Sequence, residues 1–235
     1  MTAGVPKTAM VLAAGLGLRL RPLTERMPKA LVKVGGKAMI DHALDGLRDA
    51  GVERVVVNVH AFADQLEHHL KARRDLDILI SDERALRLET GGGVKKARAL
   101  LGEGPIWVAN SDYAWISREG FRAVARAWDP ARMDGLLLLV PRERAMGHRG
   151  AGDFLMAENG RLTRGPGLVY SGAQILKTDD LAEILDPVFS LNLVWDRMIA
   201  RGRLFGLVHP GGWCDVGRPE SLPLAEALAK GAGDV

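Results

Sequence analysis

The chain has 235 residues, 47% of them hydrophobic and 26% charged, which is enough apolar surface for a sizeable core and too much for a largely disordered chain. Its one cysteine, Cys214, excludes a disulfide framework within the chain. Lysine and arginine outnumber aspartate and glutamate by 32 to 29, a small excess that suits anionic ligands but lacks the clustering of a nucleic-acid-binding surface.

Short runs of Val, Ile and Leu alternate with segments of helical period. The spacing predicts a strand over 8–13, then a helix over 39–50 with Ile40, Leu44 and Leu47 on one face. Gly51 follows where a helix end favours positive φ. Residues 54–59 form a valine-rich strand, and Phe62, Leu66 and Leu70 set an apolar stripe on a helix over 61–71. A strand over 77–81, a helix over 93–101, a strand over 106–110, a helix over 119–128 and a strand over 135–140 continue the alternation. Strand–helix–strand order with apolar strands predicts an α/β fold, a Rossmann-like mixed, mainly parallel sheet with helices on both faces. After Val140 the rhythm changes. Strands over 153–157 and 168–176 flank an Asn159-Gly160 turn and read as a small β-rich insertion over the sheet's carboxyl edge. Helical segments over 181–185 and 193–201, a strand over 204–208 and a helix over 220–230 complete the chain. No linker or repeat interrupts it, so one domain over 1–235 is expected.

Residues 9–18 superficially resemble a signal-peptide core, but they contain Gly15 and Gly17, run into Arg19 and Arg21, and lack a small-residue cleavage site. The apolar run 135–140 is far shorter than the ~20 residues of a membrane span. A cytoplasmic protein with no membrane or nucleic-acid partner is expected.

The first strand runs into Ala13-Ala14-Gly15-Leu16-Gly17-Leu18-Arg19-Leu20-Arg21-Pro22-Leu23-Thr24. A dinucleotide fingerprint needs a third glycine where Leu20 stands. A P-loop needs a glycine where Leu31 stands and a hydroxyl where Ala38 follows Gly36-Lys37. Both patterns fail. What remains is a glycine loop at a strand's carboxyl end, where backbone N–H groups can approach phosphates. Arg19, Arg21 and Lys29 (after Pro28) supply positive charge beside it.

This string, ending in Pro28-Lys29, resembles the signature of the sugar-1-phosphate nucleotidyltransferases. The resemblance extends through Leu88-Glu89-Thr90-Gly91-Gly92-Gly93, Asn110-Ser111-Asp112, Gly152-Asp153-Phe154, Ser171-Gly172 and Trp213-Cys214-Asp215-Val216-Gly217. The triple glycine and the Gly-Asp-Phe block point to the branch that acts as an N-acetylmuramate-1-phosphate uridylyltransferase in peptidoglycan recycling. The chain departs from the family at Leu18, where many members have Thr, and at Ser111, where Gly is common. It also lacks the Glu-Lys-Pro lysine of larger relatives; Arg161 or Arg164 could replace it, or the site could do without.

Asp112 stands just past strand 106–110, at the sheet edge where open α/β sheets bind ligands. With Asp215 it could hold Mg²⁺, a hard cation that takes oxygen ligands and few protein contacts. The resemblance maps both aspartates onto the family's metal pair. It implies that a nucleoside triphosphate, UTP in this branch, reacts with a sugar-1-phosphate to give an NDP-sugar and pyrophosphate. It assigns catalysis to Arg19, Lys29, Asp112 and Asp215. Nucleotide contacts fall to Ala13, Ala14, Gly15, Gly17, Arg19, Lys29, Asn110 and a loop at Thr90 and Gly91. Ser171, Gly172 and Asp153 could bind sugar hydroxyls, or Asp153 could simply start a strand. The nucleotide half would be about 1–112 and the sugar and metal half about 113–235. Glu83 or Glu89 could accept from a base N–H, or simply be solvated. A mannose-1-phosphate guanylyltransferase and a non-catalytic nucleotide-sugar sensor are the alternatives. His68, His69 and His148 lack zinc spacing, Trp107, Trp128 and Trp195 read as packing residues, and Arg73-Arg74, Arg84 and Arg87 read as solvated faces.

Overall fold

The computed structural model describes residues 4–115 and 117–231. In chain order the strands and helices are β1 (Thr8–Leu12), β2 (Lys33–Val34), β3 (Lys37–Ala38), α1 (Met39–Asp49), β4 (Arg54–Val59), α2 (Ala63–Leu70), β5 (Asp77–Asp82) and α3 (Glu89–Leu101). Then come β6 (Ile106–Asn110), β7 (Tyr113–Trp115), α4 (Glu119–Ala127), β8 (Gly135–Val140), β9 (Ala145–Met146), β10 (Phe154–Met156) and β11 (Leu162–Arg164). The chain finishes with β12 (Val169–Leu176), α5 (Asp179–Ala182), α6 (Asn192–Ala200), β13 (Leu204–Val208), β14 (Trp213–Asp215) and α7 (Ser221–Gly231).

Seven strands form the main sheet in the order β13-β8-β12-β6-β1-β4-β5. All neighbours are parallel except β12, which runs antiparallel to both β6 and β8. This is the mixed, mainly parallel sheet expected from the alternation of strands and helices. The valine- and leucine-rich strands turn apolar residues to both faces because helices cover both. In β1, Ala9 and Val11 join the core under α1, α2 and α4, while Met10 joins the core under α3 and α6. Val55, Val57 and Val59 of β4 divide from Val56 in the same way. Gly51 takes φ +89° after α1, as its position predicts.

Three features differ from expectation. Strand β12 is a central strand of the main sheet rather than part of a separate insertion, because its apolar residues Ala173, Ile175 and Leu176 are buried between layers. The Asn159-Gly160 turn instead joins β10 to β11, a pair that the sequence did not resolve. The triple glycine lies within α3, not in a loop. Absence of side chains there lets the helix press against the segment before α6: a Cβ on Gly91 would lie 2.4 Å from the Phe189 ring, and one on Gly92 would lie 2.1 Å from the Pro187 carbonyl.

A small sheet, β7-β14-β9, sits at the carboxyl edge of the main one. Pairing of β7 with β14 sets Tyr113 opposite Asp215. This register is what joins the chain's two distant acidic motifs. Leu20, Ala114, Cys214, Val216 and Ala225 form the apolar layer beneath it, and burial pushes the Cys214 thiol up to about 12, leaving it unreactive. Arg73 is not part of a solvated face. Its guanidinium is tied to Asp41, Asp45 and Asp75.

His209, just after β13, is fully buried, with Nδ1 unpartnered against Gly120 of α4. Burial lowers its pKa from 6.5 to about 4. The unfolded chain therefore takes up a proton near pH 6.5 that the folded chain refuses until about pH 4. The resulting stability is complete at neutral pH and is lost as pH falls through this window. Urea titrations should place the unfolding free energy lower at pH 5 than at pH 7 by on the order of 1–2 kcal/mol. A histidine NMR resonance that remains neutral at pH 5 assigns the effect, and one that titrates normally refutes it.

Candidate active site

The cleft forms where β1, β4, β5 and β6 end. The Ala13 amide donates to Asn58 Oδ1 at 2.7 Å, and Asn58 Nδ2 donates to Glu83 Oε1 at 2.9 Å. Glu83 Oε2 accepts from the Leu88 amide at 3.1 Å. Glu83 is thus not a solvated loop carboxylate, and it lines the cleft. It is fully buried and fixes the first glycine loop to the start of α3. Gly93 must lack a side chain because a Cβ would stand 2.9 Å from Glu83 Oε1. Asn58 escaped the sequence reading, although a lone amide inside a valine strand is a signal: a buried polar group needs partners.

Ala13, Ala14, Gly15, Lys29, Thr90, Asn110 and Asp112 all line this cleft. Gly15 faces open space. Gly17 does not line the cleft. Its φ of +64° and the Thr24 hydroxyl bond to its carbonyl at 2.7 Å fold the loop back on itself. Gly91 is also absent from the wall, for the packing reason above. Thr90 is partly committed, because its hydroxyl accepts from the Leu191 amide at 2.9 Å. Glu89 beside it has φ +62°, a left-handed conformation that a non-glycine residue seldom adopts outside functional or constrained sites.

The sugar candidates are elsewhere. Asp153 Oδ2 accepts from the Tyr170 amide at 2.8 Å, and Ser171 is fully buried. Gly172, with φ +87°, occupies a break in the β12–β8 register, where a Cβ would stand 2.2 Å from the Tyr113 ring. Gly172 backs the Tyr113 ring, and none of the three lines the cleft. Arg161 and Arg164 do not line it either. Arg164 binds Asp196 at 2.8 Å and covers the Phe154 and Trp195 rings.

At the cleft's end, Lys29 Nζ lies 2.8 Å from Asp112 Oδ2, with the lysine side chain 10% exposed and the aspartate 31%. The other oxygen, Asp112 Oδ1, is buried with no hydrogen-bond partner. Ser111 anchors this turn, its hydroxyl donating to the Leu12 carbonyl at 2.8 Å. Asp215 is held above the usual carboxylate range, by burial first and by the Asp112 charge second, against the pull of Lys29, Arg19 and His148. Burial and the same two carboxylates push the Tyr113 phenol far up, so it is neutral. Its ring packs on Trp213 with centroids 5.0 Å apart.

Two carboxylates repelling each other, one with an unsatisfied oxygen, suit a bound cation. Gly217 leaves room for one, since a Cβ there would come 2.9 Å from Asp215 Oδ1 and 3.4 Å from an Arg19 nitrogen. Among the described residues no group of three or more His, Cys, Asp or Glu converges to cage a metal. The two aspartates are hard oxygen donors of the kind that hold a divalent cation, whose remaining positions water and substrate oxygens would fill.

Residues 8–148 match the nucleotidyl transferase family, and the chain belongs to it. It is 50% identical over 233 residues to the N-acetylmuramate alpha-1-phosphate uridylyltransferase of Caulobacter vibrioides, covering 94% of this chain and 96% of the relative. The protein of the same name from Neisseria meningitidis serogroup B is 34% identical over 230 residues, covering 94% and 97%. Among solved structures, the inositol-1-phosphate CTP transferase of T. maritima superposes with a TM-score of 0.80 at 17% identity, over 97% of this chain and 96% of that one. No described helix is long and apolar enough to cross a membrane.

Proposed function

We propose that the protein transfers the uridylyl group of UTP to N-acetylmuramate 1-phosphate, releasing pyrophosphate and forming the UDP-sugar used in peptidoglycan recycling, in the cytoplasm. The observation that carries the reaction class is the Lys29–Asp112 pair at the end of the cleft, with Asp112 Oδ1 unsatisfied and Asp215 brought alongside by β14. The 50% identity over nearly the full length of both chains supports the choice of substrates. On this reading residues 1–235 act as one domain, the first half presenting the nucleotide and the second supplying Asp215 and the sugar wall.

Backbone groups of Ala13–Gly15, with Asn110 and Thr90, would contact the nucleoside. The acceptor is a phosphate monoester whose second pKa is about 6, so it is largely ionised at neutral pH and no general base is needed. Aligning two anions and neutralising their charge is the task that remains. Asp112 and Asp215 would hold Mg²⁺, which when bound supplies Lewis-acid neutralisation of phosphate oxygens. Lys29, released from Asp112, would bond the α-phosphate. Arg19 would meet the charge that builds on the departing pyrophosphate.

A pyrophosphate-release assay crossing UTP, GTP, CTP and dTTP with the 1-phosphates of N-acetylmuramate, N-acetylglucosamine, mannose and glucose tests this. Highest kcat/KM is expected for UTP with N-acetylmuramate 1-phosphate, abolished by EDTA and restored by Mg²⁺. Preference for GTP with mannose 1-phosphate would replace the substrates, and no turnover with any pair would favour a sensor. Lys29→Ala should lower kcat by about a hundredfold, and Lys29→Arg should restore little, because a planar guanidinium does not replace a point charge in so enclosed a position. Steady-state kinetics on the folded variants check this, and near-normal kcat in Lys29→Ala counts against the role.

A further inference from the structure

A second cavity, of about 250 Å³, begins at Asp215 and is lined also by Arg19, His148, Arg149, Gly217 and Arg218. Asp112 lines the first cleft and Asp215 this cavity, so the two hollows each present one of the two aspartates whose charges repel. Its charge is unusual: three arginines and a histidine face one carboxylate, and that carboxylate is the proposed cation ligand. Arg149 reaches Glu220 only at 4.0 Å, with the two side chains 66% and 71% exposed, a loose pair that an incoming anion can displace at little cost. His148 Nε2 is buried without a hydrogen-bond partner, an uncommon condition for a polar atom. It stands against Gly150, where a Cβ would lie 2.6 Å away.

The loop carrying these groups is fixed in place. Strand β9 pairs in parallel with β14, setting Ala145 against Trp213 and Met146 against Cys214. The next residue, Gly147, has φ +77° and lies so close to Asp215 that a Cβ would stand 2.3 Å from its carbonyl oxygen. His148 and Arg149 are therefore presented from a rigid base immediately beside the proposed reaction centre.

We infer that this pocket reads a carboxylate carried by the sugar substrate, the lactyl carboxylate of N-acetylmuramate, with Arg149, Arg218 and His148 as specificity-determining residues. The inference rests on the nucleotidyl transfer proposed above. The phosphates of the two substrates already have Lys29, Arg19 and the cation, whereas a neutral sugar offers only hydroxyls to the remaining positive groups. A guanidinium fork matches a carboxylate in geometry as well as charge. The departing pyrophosphate is also anionic, and the experiment separates the two sources.

The test is steady-state kinetics of wild type, Arg149→Ala, Arg149→Lys, Arg218→Ala and His148→Ala, with UTP and either N-acetylmuramate 1-phosphate or N-acetylglucosamine 1-phosphate, which lacks the lactyl group. Circular dichroism and Tm confirm that each variant is folded. Wild type should favour the carboxylated sugar by about tenfold or more, and each alanine variant should lose most of that preference through a higher KM for that sugar. Arg149→Lys should recover part of it. Equal losses on both sugars, or an intact preference in all variants, overturn the inference while leaving the proposed reaction standing. A raised KM for pyrophosphate in the reverse direction, with sugar preference intact, assigns the pocket to pyrophosphate and also overturns it. A wild type that prefers the neutral sugar overturns both the inference and the choice of substrate.

Discussion

Asp112→Ala lowers pyrophosphate release to about one-thousandth of the wild-type rate or less, in a protein that remains folded. The expectation follows from the position of the carboxylate. One oxygen holds Lys29 at 2.8 Å, and the other is buried with nothing to bond. Removing the group takes away half of the proposed cation site and the partner that positions Lys29. Losses of about a hundredfold to a thousandfold are typical for a single electrostatic contact at a reacting centre, and here two contacts go together. The fold should survive because Asp112 lies past the end of β6, and the turn is fixed independently by the Ser111 hydroxyl on the Leu12 carbonyl. Leaving the Lys29 ammonium unpaired should cost about 1–3 kcal/mol. Pyrophosphate release, with urea unfolding of the same preparation, checks both halves. Turnover within about tenfold of wild type in the folded variant would falsify the assignment.

Much of the candidate cleft was legible because local signals and tertiary position coincide there. The glycine loop follows a strand that any hydrophobicity reading finds, and Asp112 follows another, so their meeting at one sheet edge follows from parallel topology alone. Asp215 was a different case. Its place depends on β14, a three-residue strand paired with the three-residue β7, and elements so short leave no periodicity to read. Family resemblance placed it, and the register of Tyr113 against Asp215 supplies the physical reason. The glycines misled where their number suggested open loops. Gly91, Gly92 and Gly93 serve close packing of α3 on Phe189, Pro187 and Glu83, contacts spanning up to about a hundred residues that no local window contains. Two of the residues proposed for the sugar likewise lie away from this cleft. Ser171 and Gly172 belong to β12, whose central place in the main sheet buries them.

Asp215→Asn should abolish turnover and yet make the metal-free protein more stable at neutral pH. Asp215 is held above the ordinary carboxylate range by burial and then by Asp112, despite Lys29, Arg19 and His148. For an acid whose folded pKa is raised, the favourable contribution is complete below the unfolded value, near 3.8, and is lost as pH rises through the folded one. At pH 7 the wild-type carboxylate therefore weakens the fold, and an uncharged amide of the same shape removes that penalty. In EDTA the variant's Tm should exceed that of wild type by about 2 °C or more, and the gain should shrink as pH falls toward 3.8, where the wild-type group is itself protonated. Saturating Mg²⁺ with UTP should reverse the order, since a ligand stabilises only the protein that binds it. Thermal melts of both proteins in the two buffers decide the matter. A variant less stable than wild type in EDTA would show that Asp215 is held by its positive neighbours and serves the fold. A more stable one would show repulsion retained at the expense of stability, which is expected of groups kept for the cation and substrate they bind.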